Sequence, residues 1–453
     1  MDTLPEELLS AIFSHLEPDD LQRVSLVNTV FARITRPLLY SHCDTTYGDF
    51  DGEDDDTERI ERLLSVFMFN PQLARFVEEL TLGAWHTDCF TESSELASLN
   101  LTELTPILLH SPFGNDMEDA LEDRQTDAYI AIMLSIMPKL KSLSMNLYHY
   151  RYDDQGTRTY EPIDFMRTMT IRLIRLATLS TAPPHGLSIL NNLTEAHLRG
   201  PLIRDDAPWV FDVSVASVFL NLPSLRTLEV ILCAERDNAA DWKCNENVSN
   251  VKTLMFDICQ IGHATIQKAL RSCKSLQSFV CKRFCAECRP HCEGSSSYAD
   301  IHLDLTKHAP SLGKLCIHSM ECDGQNGFDP HEEPNEEPIL TFATLHSLRE
   351  LEVDEYALYG PNRYEAHPLV EILPITLEKI RLKVLPAHDQ DEILHQVPRL
   401  LLSSQTLKEV TVEDVEPDDW EVIEKQWPDI IFDRKDREFV ARRRSLAYPT
   451  ATS

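Results

Sequence analysis

Apolar side chains at Leu8, Leu9, Ile12, Phe13 and Leu16 recur at helical spacing and predict an amphipathic helix close to the start of the chain. Thr3 and Glu6 stand at capping-box spacing, and Pro5 falls in a first turn, where its missing N–H costs nothing. Pro18-Asp19-Asp20 breaks this helix and caps a second one carrying Leu21, Val24, Leu26 and Val27. A third short element follows Asn28, with Phe31 and Ile34, and closes on Pro37-Leu38-Leu39-Tyr40. Three short helices in about forty residues lie near the lower size limit of an independent fold. The segment nevertheless holds more large apolar residues than so small a bundle can hide from water. Its core is therefore completed either by a partner protein or by the rest of the chain, and periodicity alone leaves both open.

Further along, a different pattern recurs: apolar-x-x-apolar-x-apolar. It reads Val77/Leu80/Leu82, Leu140/Leu143/Met145, Leu193/Ala196/Leu198, Leu225/Leu228/Val230 and Val251/Leu254/Phe256. It continues as Leu276/Phe279/Cys281, Leu312/Leu315/Ile317, Leu348/Leu351/Val353, Leu377/Ile380/Leu382 and Leu407/Val410/Val412. From Leu193 onward the starts lie 32, 26, 25, 36, 36, 29 and 30 residues apart, while the first two gaps, of 63 and 53, imply insertions or degenerate repeats. Several copies carry a break just upstream, as in Leu222-Pro223-Ser224-Leu225 and Ala309-Pro310-Ser311-Leu312. Helix-like stretches fill the gaps at 127–137, 213–220, 263–271 and 300–308. Strand, loop and helix at a period near thirty predict a leucine-rich-repeat solenoid, an α/β architecture of short parallel strands alternating with helices. An irregular α/β domain explains the repeated upstream punctuation less well.

In such a solenoid, residues between and just after the inward positions face the concave surface. The candidate substrate-binding residues are Arg199, Glu229, Met255, Asp257, Val280, Lys282, Cys316, His318, Glu352 and Arg381, with Asp354, Lys383 and Glu413 in equivalent positions. Met255, Val280 and Cys316 are expected either to form an apolar strip with a charged rim, as on a protein-binding surface, or to be covered by loops or the C-terminal tail.

Composition changes this picture in two ways. The 453 residues hold 74 acidic and 42 basic side chains, a formal charge of −32, which disfavours nucleic acid and anionic membranes as partners. The acidity is uneven, with acidic runs at 49–56 and 329–337 and a basic segment at 434–444. Glycine is scarce, at 13 residues, and no phosphate-binding glycine motif is present. The first residues, Met1-Asp2-Thr3-Leu4-Pro5, lack the features of a signal peptide, and the longest apolar run, Tyr129 to Met137, is too short to span a bilayer. The twelve cysteines are accordingly read as reduced thiols, and the expected location is cytoplasmic, nuclear or both.

Candidate chemistry is sparse. Cys281, Cys285, Cys288, His291 and Cys292 cluster within twelve residues, and Cys285, Cys288, His291 and Cys292 could close a tetrahedral zinc site. Zinc sites usually pair two ligand clusters across a longer loop, so reduced loop cysteines are the leading reading and no cofactor is expected. No HExxH or GxSxG occurs, none of the seventeen histidines has a partner at diagnostic spacing, and no catalytic residue is assigned. Trp420 and the segment from Trp427 to Phe432 look like a final cap over the last repeat.

The first segment resembles the F-box. Leu4-Pro5-x-Glu7-Leu8-Leu9-x-x-Ile12-Phe13-x-x-Leu16, Asp20-Leu21, Ser25-Leu26-Val27, Phe31 and Pro37-Leu38-Leu39-Tyr40 are similar to its fungal form. Asn28-Thr29-Val30 departs from it, because the family often places a basic residue before the aromatic. The resemblance implies binding of the Skp adaptor and, through it, a cullin. The implied contacts are Leu4, Pro5, Leu8, Leu9, Ile12, Phe13, Leu21, Val24, Val27, Phe31, Pro37 and Leu38. An F-box followed by leucine-rich repeats implies a non-catalytic substrate-recognition subunit of a ubiquitin ligase that captures a protein target on the solenoid. The alternative is a repeat-based interaction scaffold outside ubiquitin transfer. The expected domains are an F-box at 1–45, an acidic linker at 46–58, the solenoid at 59–433 and a disordered basic tail at 434–453.

Overall fold

The computed structural model describes residues 4–46, 56–83, 114–123, 125–147, 150–152, 158–160, 165–179, 190–200, 211–235, 242–283, 298–319, 339, 341–359, 368–384, 390–413, 426–435 and 438–444. By internal contact the chain forms two units, residues 1–244 with 248–250, and residues 245–247 with 251–453.

The first unit begins with three helices, α1 Glu6–Phe13, α2 Pro18–Ser25 and α3 Thr29–Leu39. Pro5 takes the N-cap position of α1 without a side-chain cap, so the expected capping box is replaced by a proline entry, with Leu8 and Leu9 N–H donating to the Pro5 carbonyl. Asn28 does cap α3, its Oδ1 accepting from the Phe31 N–H at 2.8 Å. Leu9, Phe13, Leu21, Phe31 and Ile34 form a small core, closed by an edge-to-face contact of the Phe13 and Phe31 rings at 5.2 Å.

The repeats of this unit follow directly. Strands β1 His42–Asp44, β2 Glu79–Leu82, β3 Ser142–Asn146, β6 Glu195–Arg199 and β8 Thr227–Ile231 pair side by side, all parallel. Two small ladders flank them, β4 Tyr150–Tyr152 with β5 Arg158–Tyr160, and β7 Phe211–Asp212 with β9 Cys233–Ala234. Leu80, Leu143, Ala196 and Leu228 share one register row, and Leu82, Met145, Leu198 and Val230 share the next. Both rows are buried, as the period of two requires. The apolar run after Thr126 becomes helix Thr126–Ser135, buried from Thr126 through Leu134.

The second unit carries β10 Thr253–Cys259, β11 Ser278–Arg283, β12 Lys314–Ser319, β13 Glu350–Asp354, β14 Lys379–Lys383 and β15 Glu409–Glu413. These are again parallel and in register, with buried rows at Leu254, Phe279, Leu315, Leu351, Ile380 and Val410.

One backbone device sets the register of nearly every repeat. The carbonyl just before a strand accepts from two successive N–H groups of the following repeat. Glu78 accepts from Lys141 and Ser142, Gln277 from Gly313 and Lys314, Gly313 from Arg349 and Glu350, and Arg349 from Glu378 and Lys379. The upstream punctuation gains a physical role here. Ser311 Oγ donates to the Leu276 carbonyl at 2.6 Å, Thr376 Oγ1 to the Leu348 carbonyl at 2.9 Å, and Ser224 reaches the Asn191 carbonyl in the same way. A small hydroxyl at this place satisfies a carbonyl of the preceding repeat.

Two expected boundaries are corrected. The linker placed at 46–58 is shorter, because α4 Asp56–Phe69 already begins inside it and β1 joins the sheet immediately after α3. The basic segment placed in a disordered tail instead contributes to two strands. Strands β16 Ile430–Lys435 and β17 Glu438–Arg443 form a hairpin, and β17 pairs antiparallel with β15. Its arginines have specific partners: Arg442 Nε lies 2.7 Å from Glu409 Oε2, and Arg443 Nε donates to the Leu401 carbonyl at 2.8 Å. Pairing covers a strand edge that would otherwise be an open template.

Candidate functional site

Two surfaces carry the candidate residues. On the helical module, the twelve implied contacts divide by burial. Leu4, Pro5, Leu8, Ile12 and Val27 are exposed, and Val24, Pro37 and Leu38 are half-buried. Leu9, Phe13, Leu21 and Phe31 are buried in the module's own core, which corrects their assignment as contacts: they shape the surface but do not present it. Leu26, 82% exposed, and Val30 were missed as surface residues. Their signal was present, since both are apolar yet stand off the stripe that the helix period turns inward. Leu8, Ile12, Leu26, Val27 and Val30 thus remain exposed to solvent, and large exposed apolar residues in such number mark an interaction surface.

The module is also joined closely to the repeats of its unit. Ser41 carbonyl accepts from the Glu78 and Glu79 N–H groups, and the Tyr40 and Phe67 rings meet at 6.2 Å. The chain therefore completes one side of the module and leaves the apolar residues of α1 and the α2–α3 turn uncovered.

The second surface is the strand face opposite the buried rows. In the first unit, His197 and Glu229 are register neighbours and their side chains are hydrogen-bonded, while Arg199 is exposed at the strand end. In the second unit, Met255, Val280, Cys316, Glu352 and Arg381 form one continuous row, and Asp257, Lys282 and His318 a second row beside it. Arg381 pairs with Glu413 and, at 3.7 Å, with Glu438.

The expected exposed apolar strip is corrected. Val280 is 8% exposed and Cys316 1%, and only Met255 is partly open. Strands about 4.8 Å apart bring register neighbours into contact, so short side chains sink beneath the longer Lys282, His318 and Glu352 around them. His318 is likewise buried, and neither it nor Cys316 nor Val280 offers much area to a partner. The accessible members of the candidate set are Arg199, Glu229, Met255, Asp257, Lys282, Glu352 and Arg381, six of them charged.

Glu352 is the electrostatic centre of this face. His318 Nε2 lies 3.2 Å from its Oε1 and Lys282 Nζ lies 3.8 Å away. With His318 the larger influence, these neighbours hold the Glu352 carboxyl down to about 2. Burial, and then the adjacent Glu352, pushes the Cys316 thiol well above its ordinary range, so Cys316 is a neutral thiol beside the carboxylate. The His318 contact is close but poorly aligned, and its buried Nε2 has no satisfied hydrogen bond. It is a close polar contact by distance rather than a hydrogen bond by geometry.

Cys281 is buried on the inward side, as its repeat position predicts. Cys285, Cys288, His291 and Cys292 lie outside the described residues. Among the described residues, no helix is long and apolar enough to cross a membrane.

Comparison with known proteins agrees with this geometry. Residues 1–46 match the F-box-like family, and residues 56–416, well over half of the chain, match the leucine-rich repeat domain family. Both are families of generally non-catalytic interaction domains. No curated protein matches the chain.

Proposed function

The chain belongs to the leucine-rich repeat domain family and carries an F-box-like domain ahead of the repeats, and on that premise we propose that it is the substrate-recruiting subunit of a Skp–cullin–F-box ubiquitin ligase. The observation that carries this reading is the set of apolar side chains left uncovered on the helical module, Leu8, Ile12, Leu26, Val27 and Val30. Exposed apolar residues in such number suit a surface that a partner covers, and the F-box pattern supports the Skp adaptor as that partner. The strand face then holds the target protein through mixed charges around Met255, an arrangement that suits polar, specific recognition.

Co-purification tests the reading. The full chain should retain both the Skp adaptor and its cullin, and Pro5→Ala combined with Leu8→Ala should lose both while the repeats stay folded. Undiminished adaptor capture by the double variant would sink the F-box assignment. Capture of the adaptor without the cullin would instead favour a scaffold outside ubiquitin transfer.

A further inference from the structure

Cys316 and His318 stand two residues apart on β12 and therefore point to the same side of the sheet. Glu352 is the register partner of Cys316 on β13 and the diagonal neighbour of His318. One thiol sulphur, one imidazole nitrogen and one carboxylate oxygen consequently converge, all within 4.8 Å of one another. Cys316 and His318 are buried at 1% and 6% exposure, and the Glu352 side chain is the part of the cluster that reaches solvent. No mechanical role in the repeat requires these three types, since equivalent positions in neighbouring strands hold Val280, Lys282 and Arg381.

We propose that Cys316, His318 and Glu352 form a zinc site on the strand face of the second unit. Zinc accepts sulphur, nitrogen and oxygen donors in a tetrahedron at about 2.0–2.3 Å, which places its ligand atoms roughly 3.3–3.8 Å apart. The 3.2 Å between His318 Nε2 and Glu352 Oε1 already matches such an edge. The unsatisfied Nε2 is itself an argument: a buried imidazole nitrogen without a hydrogen bond, facing a thiol and a carboxylate, is an available ligand. Thiolate, neutral imidazole and carboxylate together neutralise a divalent cation, and a thiolate in the set favours zinc over calcium or magnesium. On binding, the Cys316 S–H proton leaves to solvent and sulphur bonds the metal. Lys282, whose side chain is 35% exposed, then exchanges its contact with Glu352 for water. Three protein ligands leave the fourth position for a water molecule.

Sequence spacing hides this site because Glu352 is distant in the chain from the other two ligands. It uses none of Cys285, Cys288, His291 and Cys292, and the test separates the two sets. The full chain carrying Cys285→Ser, Cys288→Ser and Cys292→Ser is stripped with chelator and titrated with Co2+, then with Zn2+. One equivalent of cobalt should bind, with a thiolate-to-cobalt band in the near ultraviolet that zinc abolishes. Adding Cys316→Ser should remove the band. Glu352→Gln, an isosteric change, should weaken cobalt binding by about tenfold or more. Circular dichroism monitors folding, and if Cys316→Ser unfolds the chain, the affinity of Glu352→Gln decides the matter. The site is overturned by absence of the band in the parent, by its survival in folded Cys316→Ser, or by unchanged affinity in Glu352→Gln.

Discussion

Thr170 donates twice to Asp127, 43 residues earlier in the chain: its N–H donates to the Asp127 carboxylate at 3.2 Å, and its hydroxyl donates to the Asp127 carbonyl at 3.2 Å. The same carboxylate accepts from the Met169 N–H, so a buried acid on helix Thr126–Ser135 serves the N-terminus of helix Met169–Leu179. Burial raises the pKa of this acid, which its hydrogen bonds only partly counter. Asp127→Ala should lower the unfolding free energy by about 2–3 kcal/mol, since it leaves buried N–H groups without an acceptor. Asp127→Asn keeps an acceptor and should cost clearly less, as denaturant titration of the two variants will show.

On the helical module, burial separates shape from contact. Leu26→Asp should weaken adaptor binding without loss of helix content, because the side chain is 82% exposed. Leu9→Ala should instead destabilise the module by about 2–5 kcal/mol through a core cavity. Adaptor affinity and thermal melting, measured on both variants, should therefore change in opposite order.

Gly200 sits where no side chain fits. A Cβ there would lie 2.1 Å from the Leu232 carbonyl oxygen, and the Gly200 N–H donates to the Ile231 carbonyl at 2.8 Å. Leu232 itself has φ of 58°, so neither backbone can yield cheaply. Gly200→Ala should destabilise the first unit by about 1–3 kcal/mol, readable as a lowered melting temperature.

His308 gives a pH dependence whose sign follows from its partners. Its Nδ1 accepts from the Leu276 N–H at 3.3 Å and its Nε2–H donates to the Leu270 carbonyl at 3.0 Å, so the ring is held neutral. Burial lowers its pKa, with Lys307 adding to the effect and the Leu270 carbonyl and Asp304 opposing it. The unfolded chain then binds more protons than the folded one below the ordinary histidine pKa of about 6.5. Stability should fall as pH drops through that value, and His308→Gln should flatten the slope between about pH 5.5 and 7. Equal slopes for the two proteins would remove His308 as the cause.

The terminal hairpin should protect the sheet from self-association. Deleting residues from 430 onward removes the β17 ladder and the Arg442–Glu409 ion pair, and leaves the β15 edge unpaired. The truncated chain should aggregate at concentrations where the full chain stays monodisperse, a difference that light scattering detects.

How much of this was legible in the sequence depended on the range of the interaction involved. The helix period around Leu9 and Phe13 and the period of two at pairs such as Leu315 and Ile317 are local, and both predicted the buried faces correctly. The upstream serine of each break was visible as punctuation, but its function, as at Ser311, depends on a carbonyl in the preceding repeat. The terminal arginines read as a tail because charge runs are usually solvated, whereas Arg442 and Arg443 meet partners over thirty residues away.

The apolar strip shows the same division from the other side. That Met255, Val280 and Cys316 share a face followed from spacing alone, because side chains alternate along any strand. That Val280 and Cys316 are covered did not, because burial depends on the size of the neighbours across the ladder, and only register names those neighbours. The sequence by itself determined the helical module, the repeat and the inward faces, since these rest on periodicities of one chain segment. Only the tertiary structure decided which apolar residues of the module stay exposed, how the last strand edge is closed, and that Glu352 stands beside Cys316 and His318. Each of those is a contact between distant segments, set by packing and register rather than by local pattern.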